Sequence, residues 1–149
     1  MNVRVAAASD PKAAREAVLE GLVQYNDLFL APREKQEVAV AAQDETGRIV
    51  GGATGHVTLD LLFVELVWVA EEHRGGGIGS RVLAAIEEEG RRLGAARVLL
   101  DTFTFQAAPF YEANGYREVA RIPRYFGEHD RIYLQKDWPN PGILNLPAP

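Results

Sequence analysis

The sequence predicts an α/β (α+β) fold in a single domain: a central mixed, largely antiparallel sheet of about seven strands, flanked by three to four helices. Three observations carry this prediction. The stretch Val64 to Leu83, VELVWVAEEHRGGGIGSRVL, begins as a strand, breaks at a glycine-rich turn and continues as a helix. A further strand, Arg97 to Phe103, follows that helix, and strand–helix–strand implies a right-handed crossover with a parallel pair at the middle of the sheet. The remaining strands are joined by short polar connections such as Asp44-Glu45-Thr46-Gly47, as antiparallel neighbours are.

In chain order, Asn2 to Ala8 alternates weakly and reads as a first strand. Asp10-Pro11 is a helix start, with Asp10 as N-cap and Pro11 at the first helical position. Ala14, Val18 and Leu22 form a stripe at i, i+4, i+8 that runs to about Tyr25; Gly21 inside it costs about 1 kcal/mol relative to Ala. Asn26 to Arg33 reads as a connection. Val38 to Ala42 is a strand, and Arg48 to Thr58 returns from the Asp44–Gly47 turn as the next. Gly51, Gly52 and Gly55 weaken that strand and permit a bulge or a close approach. His56 on it reads as a surface or hydrogen-bonded core histidine before a catalytic one.

The central strand starts at Asp60. Val64 to Val69 is β-branched, aromatic and apolar around one carboxylate, which suits a strand buried on both faces. Simple alternation would put Glu65 on one face with Phe63, Val67 and Val69. From Ile78 a helical period takes over: Ile78, Val82 and Ile86 share a face, while Arg81, Glu88 and Arg92 point away. Glu87–Arg91 and Glu88–Arg92 are i, i+4 pairs, and Gly94 supplies the stop. Ala107 to Ala113 is a short helix ended by Asn114-Gly115. Tyr116 to Ile122 and Arg131 to Gln135 are the last two strands, joined by PRYFGEHD. One domain over residues 1–137 is expected, with residues 138–149 a proline-rich tail.

Composition bounds the chemistry. At 149 residues the chain buries enough surface to need no staple. It has no cysteine, which excludes a cysteine nucleophile, a zinc–thiolate site and a disulfide framework. A net charge of −5 with no long basic run argues against nucleic acid or an acidic membrane as partner. Asp10, Lys12 and Arg15 interrupt any apolar leader, so no signal peptide or membrane span is expected, and the location expected is cytoplasmic.

The glycine turn is suited to an anion. The first turn of a helix has N–H groups without internal partners, and the macrodipole adds partial positive charge there. Gly75, Gly76 and Gly77 let a pyrophosphate reach those groups, and Arg74 adds a cation. A Walker loop is excluded because no Gly-Lys pair exists, and the dinucleotide fingerprint fails at Ser80 or Val82. What fits is R-x-x-G-x-G: Arg74, Gly77 and Gly79, after the V-x-V-like run Val67-Trp68-Val69. Downstream, FYEANGY spans Phe110 to Tyr116.

On these motifs the chain resembles the GNAT superfamily of acyl-CoA-dependent N-acyltransferases, closely over residues 48 to 137 and in outline before them. The resemblance implies a GNAT-like sheet splayed at its middle and acetyl-CoA as cosubstrate, with no metal. The cofactor-binding residues it implies are Val67, Trp68, Val69, Arg74, Gly75, Gly76, Gly77, Gly79 and Ser80. Thr104 stands where many relatives have an asparagine that contacts the pantetheine arm. The acceptor would be the amine of a small molecule or peptide, with Tyr25, Phe29 and His129 in acceptor-facing segments. A homodimer is an open expectation.

Acyl transfer from a thioester to an amine needs a base, an oxyanion donor and a proton for the leaving thiolate. The resemblance gives Glu65 as general base and Tyr111 as general acid, with a main-chain N–H near Val67 to Val69 as oxyanion donor. Competing readings are a structural role for each side chain, and a non-catalytic acyl-CoA-binding sensor or interaction module built on the same body. A nucleotide-binding oxidoreductase is a third, disfavoured by the missing glycine.

Overall fold

The computed structural model describes residues 2–30 and 34–139. The chain divides into two units, Met1–Arg33 and Glu34–Pro149. The first holds one helix, α1 (Pro11–Asn26), opened as expected: the Asp10 carboxylate accepts from the N–H groups of Lys12 and Ala13, each at 3.1 Å. The strand expected over Asn2 to Ala8 is absent; that stretch has no regular structure. Among the described residues of this unit there is no strand to share a ladder with, and an isolated strand has nothing to satisfy its backbone.

The second unit holds the sheet. Its strands are β1 (Gln36–Gln43), β2 (Ile49–Thr58), β3 (Leu61–Val69), β4 (Arg97–Phe103), β5 (Arg117–Phe126) and β6 (His129–Asp137). The spatial order is β1-β2-β3-β4-β6-β5, six strands among the described residues against the seven expected. All neighbouring pairs are antiparallel except β3–β4, the parallel pair required by the crossover. That crossover is α2 (Ile78–Arg92), and α3 (Ala108–Ala113) follows β4.

α2 packs on β1, β2 and β3, with Val82, Leu83 and Ile86 buried against Leu62, Val98, Leu100 and Leu134. A Cβ at Gly90 would stand 2.7 Å from the Leu62 side chain, so glycine there sets how closely the helix lies on β3. The expected Glu87–Arg91 pair does not form. Glu87 is buried and pairs with Lys136 of β6 at 2.8 Å, while Arg92 pairs with Glu89.

Two strand readings are corrected. The segment PRYFGEHD is no loop: β5 runs to Phe126, turns at Gly127 (φ 56°) and returns at His129. Register shifts between Glu118 and Ala120 and between Ile122 and Phe126, with Arg124 at φ 51°, take up Pro123. Proline is tolerated because β5 is an edge strand. β3 is not a uniformly buried strand: Leu66 and Trp68 are exposed.

Alternation along β3 also fails, at a bulge. Val64 pairs with Gly55 and Leu66 with the adjacent Thr54, which leaves Glu65 as the extra residue. Residues directly opposite share a face. Leu62 and Val64 therefore share the core face with Val67 and Val69, whereas Phe63 lies opposite His56 on the other. Glu65 does not share a face with Val67 and Val69; its carboxylate meets His56 instead.

Residues 140–149 of the expected tail lie outside the described residues. Trp138 is held: its N–H donates to the Ala96 carbonyl at 3.0 Å and its ring lies under Arg91.

Candidate active site

The site is an opening in the sheet. β3 and β4 pair only from Leu61–Arg97 to Val64–Leu100. Beyond that, β3 continues beside β2 to Val69 and β4 continues beside β6 to Phe103, so the two part company after Val64. The backbone of Leu66 to Trp68 then has no strand partner on its β4 side, which leaves main-chain groups available to a ligand.

Two adjoining cavities occupy this opening. One, of about 480 Å³, is lined by Val67, Trp68, Val69, Arg74, Gly75, Gly77, Gly79, Ser80, Ala107, Phe110 and Tyr111. The other, of about 540 Å³, is bounded by Glu65, Asp101, Thr102, Phe105 and Gln106 among others. Val67, Arg74, Ala107 and Tyr111 line both, so the two form one continuous cleft.

At one end lies the start of α2. The N-cap is Gly77 at φ 84°, with no side-chain cap and no acidic residue in the first turn. The N–H groups of that turn therefore lack the carboxylate that closes α1, and they carry the positive end of the dipole. The glycines divide by role. Gly75 and Gly77 take positive φ; Gly76 does not, and a Cβ on it would meet nothing within 4 Å. Gly79 packs closely on α3: a Cβ there would stand 3.2 Å from the Phe110 ring, tighter than an ordinary van der Waals contact. Arg74 is anchored by its Nε, which donates to the Val69 carbonyl at 2.9 Å.

At the other end, Glu65 and Tyr111 line the same cavity. Glu65 is 47% exposed in its side chain and its Oε1 lies 2.8 Å from His56 Nδ1. Asp101 is the second carboxylate there, and Arg131 Nε donates to it at 3.0 Å. Tyr111 is 8% exposed, packed between the rings of Phe110 and Tyr116. Burial, and then the Asp101 carboxylate, push its phenol above the usual tyrosine range, so it stays protonated at neutral pH. α3 is placed by Gln106, whose Oε1 accepts from Thr102 Oγ1 at 3.0 Å and from the Phe103 N–H at 2.8 Å.

Of the sequence-predicted residues, the structure gathers Glu65, Val67, Trp68, Val69, Arg74, Gly75, Gly77, Gly79, Ser80 and Tyr111 along this cleft. Gly76 lies between two lining residues without lining it. Thr104 and His129 meet each other instead, with Oγ1 and Nδ1 3.3 Å apart, and tie the end of β4 to the β5–β6 hairpin. His129 does not line the cleft itself but packs at 4.8 Å against the ring of Phe105, which does. Tyr25 and Phe29 belong to the first unit, where their rings pack at 5.4 Å. Sequence reasoning missed His56 as the partner of Glu65; the signal lay in Gly55-His56, a glycine that permits a bulge beside a titratable residue. Among the described residues no group of three or more His, Asp or Glu is placed to hold a metal ion, and no helix is long and apolar enough to cross a membrane.

A family model described as an acetyltransferase (GNAT) domain matches residues 34–118. An acetyltransferase of Agrobacterium fabrum is 30% identical over 123 residues, covering 83% of this chain and 90% of that one. A blasticidin-S acetyltransferase of Streptomyces morookaense is 40% identical over 94 residues, 62% of this chain and 69% of the relative. A crystal structure of an acetyltransferase from Bacillus cereus superposes with a TM-score of 0.82 at 30% identity, covering 89% of this chain and 97% of the other.

Proposed function

Because the chain belongs to the GNAT acetyltransferase family, we propose that it moves the acetyl group of acetyl-CoA directly to the primary amine of a small molecule or peptide. The observation that carries the reading is the single cleft with an uncapped helix start at one end and Glu65 with Tyr111 at the other. An uncapped helix start next to Arg74 suits a pyrophosphate. The pantetheine arm then runs between β3 and β4 and brings the thioester towards Tyr111.

The roles follow from what each side chain can do. An ammonium has no lone pair, so the amine first gives a proton to Glu65. Asp101 is the poorer base because Arg131 already holds it. The freed amine attacks the thioester carbonyl, and its oxygen gains negative charge that a main-chain N–H near Val67 to Val69 stabilises. The C–S bond breaks as the thiolate takes a proton from the Tyr111 hydroxyl. The free thiol has a pKa near ~8.5 by analogy with cysteine, and the desolvation that raises the phenol raises it too. The attacking nitrogen, cationic once bonded to carbon, gives up its second proton, which by way of solvent restores the Tyr111 phenol, and Glu65 releases the first to solvent. The acetyl group ends on nitrogen, the free thiol leaves, and no covalent enzyme intermediate forms.

The relative named a blasticidin-S acetyltransferase supports a small-molecule acceptor. The test is a panel of amines, antibiotics and peptides included, incubated with acetyl-CoA and followed by thiol release. Amine-dependent release supports the reading. Tight acetyl-CoA binding with no release on any amine would instead assign a non-catalytic acyl-CoA-binding module.

A further inference from the structure

We propose that His56 is a positioning residue of the transfer: its Nδ1–H holds one oxygen of Glu65 across β2 and β3 and so aims the other into the cleft. This rests on Glu65 being the base. The contact is 2.8 Å, within the range of a charge-assisted hydrogen bond.

The argument starts from the bulge. An extra residue on one strand is unpaired in the ladder and its side chain is re-aimed. The bulge forms opposite Gly55, where a Cβ would run into the Phe63 carbonyl oxygen, so only glycine admits the close approach. That leaves Glu65 on a locally disrupted strand, its long side chain nearly half exposed. Ordering a long glutamate side chain costs rotamer entropy. A base must sit within hydrogen-bond reach of the proton it takes, so a freely rotating Glu65 would bear that cost in every turnover.

His56 removes that freedom. It lies mid-strand on β2, 21% exposed in its side chain, with its ring 5.6 Å from Phe63 directly opposite. The imidazole is thus ordered by packing before it meets the carboxylate. Among the described residues, the charged groups facing it across the neighbouring strands are Glu65 from β3 and Glu37, its direct partner on β1. No lysine or arginine pairs with Glu65 among those residues, so the carboxylate is held by a group that need not neutralise it.

A double-mutant cycle with an accepted amine tests this. Losing a hydrogen bond to a charged group predicts that His56→Leu lowers kcat roughly 10- to 100-fold, with acetyl-CoA affinity and melting temperature near the parent's. His56→Asn keeps an N–H near the place of Nδ1 and should recover most of that turnover. In the Glu65→Gln background His56→Leu should cost nothing more, because the carboxylate it aims is gone. Where His56→Leu does not fold, His56→Gln, with its donor displaced, should show the same loss. Parent-like turnover per folded molecule, or equal losses in both backgrounds, would overturn the inference while leaving Glu65 as base. If Glu65→Gln itself keeps the parent rate, the base assignment falls, and this inference with it.

Discussion

Gly79 packs against Phe110: a single added carbon on the helix that follows the glycine turn would stand 3.2 Å from a ring on the helix that carries Tyr111. The second glycine of R-x-x-G-x-G thus works at the joint between the two ends of the cleft. The glycine turn and the Tyr111 phenol lie on either side of this contact, and Tyr111 lines both cavities.

Ser80→Asp separates anion binding from folding. Ser80 is exposed, in the first turn of α2 and on the cleft wall. A carboxylate there faces uncapped N–H groups and the positive end of the dipole, which stabilises the helix by about 0.3–1 kcal/mol. The same charge repels a pyrophosphate. Thermal melting should therefore stay level or rise while acetyl-CoA affinity by calorimetry collapses. Unchanged affinity would remove the turn from the binding site.

Tyr111→Phe removes one oxygen and little volume. If the phenol protonates the leaving thiolate, turnover falls while acetyl-CoA affinity holds. A thioester with a more acidic thiol needs that proton less, so its turnover should fall less than that of acetyl-CoA. Equal losses with both thioesters would mean that Tyr111 positions the substrate and donates nothing.

The buried tyrosines set an alkaline limit. Tyr116 is pushed up by burial first and then by the Glu87 carboxylate, and Tyr111 is raised by burial and then by Asp101. Both folded values lie above the unfolded value of about 10. Below that pH both states keep the protons, and the contribution is fully present. Above it the unfolded chain binds fewer protons than the folded one, so stability falls as pH rises towards the folded values. Tyr116→Phe should lose less stability than the parent between neutral pH and about pH 11, read by urea midpoints. Parallel losses would contradict this.

Much of this was legible in the sequence because it is local. A helix start with Asp10-Pro11, a turn with Gly47, and a strand–glycine–helix run from Val64 are each written in a few consecutive residues. The splay between β3 and β4 followed from resemblance, and the pairing that stops at Val64–Leu100 matches it. What was not legible depends on register. Period-two alternation put Glu65 with Val67 and Val69; the bulge appears only when β3 is laid against Gly55. Glu87 looked like a partner for Arg91 on a solvated face, but tertiary packing gave it to Lys136. PRYFGEHD read as a connection, yet β5 runs through Pro123 because an edge strand has no use for its missing N–H. Thr104 and His129 were assigned by position to different substrates, and backbone pairing near the hairpin brings them to each other.

The central claim is that a carboxylate at the splay takes the amine's proton, and Glu65→Gln under single-turnover conditions tests it most directly. The substitution keeps the shape and removes the base. The account predicts acetyl-CoA affinity like the parent's and a rate of acetyl transfer lower by roughly 10²–10⁴. A parent-like transfer rate with the parent's pH profile would contradict it.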